Sequence, residues 1–167
     1  MTCRLFENTH ERIPMRAVVQ RVSRASVVID ARVHARVHSE IASGLLVFLG
    51  VEQGDQDADA RYLAEKTTDL RIFNDANGKM NLGLTDMDGR MLVVSQFTLL
   101  GDARKGRRPS FIAAADPDEG KRLYQLFVEL VRQRGVDVQT GQFQTDMQVE
   151  LINDGPVTIL LDSRKRF

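Results

Sequence analysis

Residues 44–51, GLLVFLGV, form a continuous apolar run bounded by glycines. A strand without polar alternation is covered on both faces, so this stretch reads as a central strand buried in a sheet. Residues 90–97 read the same way, a strongly apolar strand opening after the turn signal Asp88-Gly89. Val-rich segments near 16–22 and 25–30 read as two further strands. Val33, Ala35 and Val37 alternate with His34, Arg36 and His38, the pattern of a half-exposed strand. TDMQVELIN and PVTILLD supply two more strands, and SRKRF reads as a frayed tail.

Helical signals are fewer. Residues 56–71 start acidic and carry Tyr62, Leu63, Leu70 and Phe73 at loosely helical spacing. The clearest helix begins at Pro117, a favoured first helical residue, with acids after it. Leu123, Leu126, Phe127, Leu130 and Val131 form its apolar stripe, and Gly135 stops it. Asn74-Asp75 and Asn77-Gly78 mark turns, and 101–110 a loop. Strands outnumber helices and do not alternate regularly with them. The expected fold class is α+β, a curved, mainly antiparallel sheet or open β-barrel with two main helices packed on one side.

The length of 167 residues suits one domain. Residues 1–14 lack strand or helix periodicity and the apolar middle of a secretory signal. They are expected to be a disordered N-terminal extension before a single domain spanning 15–167. No apolar run approaches the roughly 20 residues of a membrane span, so no membrane partner is expected. The single Cys3 excludes an internal disulfide framework and a multi-cysteine zinc site, and suits a reducing, cytoplasmic setting. Lys plus Arg and Asp plus Glu are each 23, so any attraction for a polyanion must come from a local patch.

Known catalytic patterns are missing. No nucleophile elbow, phosphate loop, dinucleotide fingerprint or metal-spaced His/Cys cluster occurs. His10 falls in the extension, and His34 and His38 sit on the polar side of a strand. No metal and no cofactor are expected. Three stretches stand out. Ser95-Gln96-Phe97-Thr98 places polar residues where an apolar strand gives way to a loop, a common position for functional groups. Arg104, Lys105, Arg107 and Arg108 form a basic loop able to meet phosphates. Gly155-Pro156 interrupts a strand, and proline cannot donate to a ladder. From spacing alone each has an ordinary alternative: a strand end, a solvated loop and a tight turn.

Taken together, SQFTL (95–99), RRPSF (107–111), TDMQV (145–149) and NDGPVT (153–158) resemble the D-aminoacyl-tRNA deacylases. MRAVVQRVSRASV from Met15 and RIFNDANGKMN (71–81) fit as well, and the resemblance spans 15–167. It implies hydrolysis of the ester between a D-amino acid and the 3′-terminal adenosine of tRNA, with the achiral glycyl ester also cleaved. It implies a homodimer in which the Gly-Pro motif is cis and enters the partner's active site. Gly155 and Pro156 would then be the chirality gate, and Arg21 the residue that holds it.

A rigid main-chain wall placed where an L-side chain would point gives a clash of a few kcal/mol, a hundredfold discrimination or more. D-residues of many sizes pass, because their side chains point elsewhere. Main-chain N–H groups near Gln96 and Phe97 are candidate donors to the developing oxyanion, with Ser95 shaping the turn. Thr98 is the obvious hydroxyl nucleophile, yet nothing nearby in sequence activates it. Attack by water, assisted by the RNA 2′-hydroxyl, is therefore expected. Phe97 is alternatively plain core. Two rival readings stay open, a non-catalytic RNA-binding module using residues 104–108 and a hydrolase of small D-amino-acid derivatives.

Overall fold

The computed structural model describes residues 14–29 and 36–166. Residues 1–13, His34 and the expected inward positions Val33 and Ala35 lie outside the described residues. Pro14, assigned to the extension, is buried.

The sheet is organised by one long strand. β1 (Arg16–Ile29) is continuous where two strands were expected. Its register against a second long strand, β8 (Met147–Asp162), shifts between Gln20 and Val22 and again between Val22 and Arg24. Such bulges bend a strand without ending it. On its other edge β1 pairs antiparallel with β3 (Gly44–Gly50) through its first half and with β2 (Arg36–Ile41) through its second. β3 pairs parallel with β6 (Arg90–Ser95), and β6 parallel with β7 (Asp137–Thr140). The Ser39 hydroxyl of β2 donates to the Thr140 carbonyl of β7 at 2.8 Å, which brings the two ends of the curved sheet together. The result is a barrel-like mixed sheet within an α+β fold.

Parallel neighbours need long crossovers. The first carries α1 (Asp57–Asp69) and a small hairpin of β4 (Phe73–Asn74) and β5 (Met80–Leu82). The second carries α2 (Pro117–Gln133). Both helices cover one face of the sheet, where Val19, Leu45, Val47, Leu49 and Val93 pack against Leu63, Leu123 and Phe127. On the opposite face Val22, Val27, Ile41, Leu46, Leu92 and Val94 fill the interior. Residues 44–50 are apolar throughout because both of their faces are buried.

Asp116 caps α2, its carboxylate accepting from the N–H groups of Asp118 and Glu119, both at 3.2 Å. The buried stripe includes the expected Leu123, Phe127 and Val131, but adds Tyr124 and Val128 and leaves Leu126 and Leu130 half-buried. The Tyr124 hydroxyl donates to the Val93 carbonyl at 2.8 Å, which turns the stripe toward β6.

Other expectations are corrected. The strand expected over 90–97 stops at Ser95, because its partner β3 ends there, and Phe97–Leu100 form a 3₁₀ turn. TDMQVELIN and PVTILLD are one strand, whose pairing with β1 lapses between Asn153 and Thr158 and then resumes. β7 was not anticipated, since its four residues are short and polar. Val37 is 58% exposed, not inward-facing. The tail is tied down through residue 166. The Ser163 N–H donates to the Met15 carbonyl at 3.0 Å, its hydroxyl to Asp59 at 2.6 Å, and Lys165 lies 5.3 Å from the Tyr62 ring centre. Among the described residues no helix is long and apolar enough to cross a membrane.

Candidate active site

Where β6 runs out, the chain turns along the mouth of a cavity of about 560 Å³. Ser95, Gln96 and Phe97 form one wall, Ala114 to Pro117 another, and Phe143 to Met147 a third. The second wall is fastened to the end of the central strand. The Ala115 N–H donates to the Val51 carbonyl at 3.0 Å and the Gln53 N–H to the Ala113 carbonyl at 2.9 Å. The turn behind it is closed by Asp55, buried, whose carboxylate accepts from the N–H groups of Glu52 at 2.7 Å and Met15 at 3.1 Å. Burial pushes the Asp55 carboxyl up to about 6 despite these bonds.

The four residues of the SQFT stretch have different fates. The Gln96 N–H donates to the Leu49 carbonyl at 2.8 Å, so it is removed from the expected oxyanion donors. Phe97 and Thr98 open the 3₁₀ turn, and the leading N–H groups of a helical turn have no intrahelical acceptor. The Gln96 side-chain amide donates to the Thr98 hydroxyl. Thr98 is not part of the cavity wall, unlike the other three. Phe97 is 57% exposed, which overturns its reading as core. Among the described residues no group of three or more His, Cys, Asp or Glu side chains is arranged to hold a metal.

The Gly155-Pro156 peptide is cis, and the segment projects as an exposed bulge of β8. Arg21, only 7% exposed, lies beneath it. Its Nε donates to the Asp154 carbonyl at 3.1 Å and its Nη1 to the Ile72 carbonyl at 2.6 Å, and Nε sits 3.2 Å from the Asp154 carboxylate. Gly155 has φ +119, and a Cβ there would lie 2.7 Å from Arg21 Nη2 and 2.9 Å from Val157 Cγ2. Glycine is thus required by both dihedral and space. Asn153 ties the bulge from within: its Oδ1 accepts from the Val157 N–H and its Nδ2 donates to the Thr158 hydroxyl, both at 3.0 Å. Sequence reasoning missed Asn153 and Thr158, although an Asn before Asp-Gly-Pro is a turn former able to bond its own backbone. No residue of 153–158 lines the cavity, so one chain keeps the SQFT stretch and the Gly-Pro bulge apart.

The basic loop is closed at its base by paired backbone bonds between Asp102 and Ser110, at 2.8 and 2.9 Å. Arg104 forks onto Asp102 at 2.9 and 2.7 Å and holds its carboxyl below the usual carboxylate range. Its charge is therefore compensated. Lys105, Arg107 and Arg108 are exposed and form no hydrogen bond or salt bridge among the described residues.

Over residues 18–162 the chain matches the family model described as D-Tyr-tRNA(Tyr) deacylase. It is 56% identical over 153 residues to a D-aminoacyl-tRNA deacylase of Thermotoga petrophila, covering 92% of this chain and 100% of that protein. A D-aminoacyl-tRNA deacylase of Koribacter versatilis is 58% identical over the same shares. A solved structure described as c-Myc DNA Unwinding Element Binding Protein superposes with a TM-score of 0.81 at 36% identity, covering 88% of this chain and 97% of that one. A second, of a probable eukaryotic D-amino acid tRNA deacylase, gives 0.75 at 20% identity over 90% and 100%, a likeness of fold.

Proposed function

The chain belongs to the D-aminoacyl-tRNA deacylase family, hydrolases of the aminoacyl-tRNA ester, and from that membership we propose that it frees tRNA from D-residues by main-chain recognition. The observation that carries the proposal is the end of β6, where Ser95, Gln96 and Phe97 open onto a cavity in which, among the described residues, no lining hydroxyl is hydrogen-bonded to a carboxylate or histidine. The ester carbonyl lies against this wall. The Phe97 and Thr98 N–H groups, left over at the start of the 3₁₀ turn, meet its developing oxyanion, and Ser95 and Gln96 shape the turn that presents them. The Thr98 hydroxyl is bonded to an amide that cannot accept a proton, so it is a poor nucleophile. Water attacks instead, assisted by the substrate's own 2′-hydroxyl. The scheme calls for no cofactor.

Handedness is sorted by Gly155 and Pro156, held by Arg21. Their exposure, and their separation from the cavity of their own chain, support insertion into the cavity of a second copy. Among the described residues β8 pairs on one edge only, and Ile152 and Leu160 are exposed along it, as a strand that joins a homodimer requires. The inserted carbonyls exclude an L-side chain and pass D-residues, and an achiral glycyl ester passes for the same reason. Lys105, Arg107 and Arg108 meet tRNA phosphates, while Arg104 positions the loop. The setting is the cytoplasm, where charged tRNA is found.

The test is release of amino acid from D-Tyr-tRNA, L-Tyr-tRNA and N-acetyl-D-tyrosine ethyl ester. Cleavage of D-Tyr-tRNA alone supports the proposal. Binding of tRNA without cleavage identifies an RNA-binding module, and cleavage of the small ester a general hydrolase of D-amino-acid derivatives.

A further inference from the structure

The lip of the cavity carries an apolar surface that ester hydrolysis does not use. The rings of Phe97 and Phe111 meet edge to face, 5.2 Å apart at 72°. Phe111 remains 37% exposed and the adjoining Ile112 is 83% exposed. Two neighbours fix this surface. Phe111 lies against Gly101, where a Cβ would come within 2.9 Å of the ring. The Ile112 carbonyl accepts from Gln53 Nε2 at 3.0 Å. Between the two aromatic residues runs the loop closed at Asp102 and Ser110, so Lys105, Arg107 and Arg108 stand on a loop rooted in the aromatic pair.

Adjoining exposed apolar side chains mark a binding surface. Aromatic rings beside exposed cations that form no salt bridge among the described residues match the two chemistries of an unpaired polynucleotide, whose bases stack and whose phosphates are anionic. We propose that Phe97, Phe111 and Ile112 form a stacking platform for the unpaired nucleotides that precede the terminal adenosine of the tRNA, with Lys105, Arg107 and Arg108 opposing their phosphates. This rests on the functional reading above: with the ester against Ser95 to Phe97, the nucleotides upstream must leave the cavity across its lip. The charge complementarity favours this occupant over an apolar protein segment, and the sequence-tolerant stacking suits a strand common to many tRNAs.

The test compares two D-tyrosyl esters, one on full-length tRNA and one on adenosine alone, which lacks the upstream nucleotides. Stacking is worth about 1–3 kcal/mol per base, or about fivefold to somewhat over a hundredfold in affinity. Phe111→Ala is expected to raise KM for D-Tyr-tRNA about tenfold and leave cleavage of the adenosine ester unchanged, and Phe111→Trp to restore the tRNA value. Ile112→Ser, at a position too exposed to govern folding, is expected to show the same split in milder form. Equal loss on both esters, or no change on either, overturns the platform. A wild-type protein that cleaves neither ester overturns the hydrolase reading itself, and with it the platform.

Discussion

Arg21 shows how much one side chain can hold in place. Its guanidinium is buried and shared between the Asp154 and Ile72 carbonyls, two segments distant in sequence. A buried carbonyl that loses a charged donor costs on the order of 1–3 kcal/mol; the Ile72 carbonyl is in that position, and the part-buried Asp154 carbonyl adds a smaller amount. Arg21→Ala is expected to lower unfolding free energy by about 3 kcal/mol in urea titration, and loss of D-over-L selection should accompany it in the folded fraction. Gly155→Ala forces a side chain onto Arg21 and Val157 at a positive φ. A destabilisation of about 1–3 kcal/mol by thermal unfolding is expected. Neither role was legible from spacing. Arg21 is one of several arginines in a Val-rich stretch, and only the family resemblance singled it out. That a buried strand ends at the SQFT stretch was readable, but which of its N–H groups stay available was not, because the Gln96 N–H is taken by Leu49 on another strand.

At the scale of elements, an unbroken apolar run located β3 and a periodic stripe α2; α1 was placed closely, but of its expected apolar positions Leu70 and Phe73 fall beyond the helix, and Ala60, Leu63, Ala64, Thr67 and Thr68 form its buried side. Patterning failed where an element is held by a remote partner. β1 reads as two strands because bulges break its pattern, and β8 because Gly155-Pro156 interrupts it, yet pairing on both sides of each interruption keeps them whole. β7 is too short and polar to signal itself. The turn before α1 has a measurable pH signature. Asp55 titrates near 3.8 when exposed and near 6 when folded, chiefly through burial, with Asp59 raising and Arg164 lowering the value. The folded state therefore holds the proton more tightly, and stability from this group falls as pH rises from about 4 to 6. Two units correspond to roughly 3 kcal/mol. The stability difference between the wild type and Asp55→Asn, followed by urea titration from pH 4 to 7, is expected to change by that order across this window and level off above it. A pH-independent difference would contradict the burial argument.

At the scale of the whole molecule, a net charge of zero supplies no overall attraction for a polyanion, so the proposed tRNA recognition rests on the local charge of the loop. Replacing Lys105, Arg107 and Arg108 with alanine is expected to reduce the slope of log affinity for tRNA against log salt by about 2 to 3, and to weaken binding most at low salt. The closure of the sheet was not legible in sequence, because it depends on Ser39 and Thr140, 101 residues apart. Nor was the proposed dimer, whose support is a strand edge unpaired among the described residues and a Gly-Pro bulge outside the cavity of its own chain. In the proposed reaction the chemistry belongs to main-chain groups and substrate, not to a side-chain nucleophile. Single-turnover cleavage by Thr98→Ala on D- and L-Tyr-tRNA tests this most directly. Release of D-tyrosine within about tenfold of wild type, with the L-ester still spared, is the expected result; abolished cleavage with tRNA binding intact would contradict it.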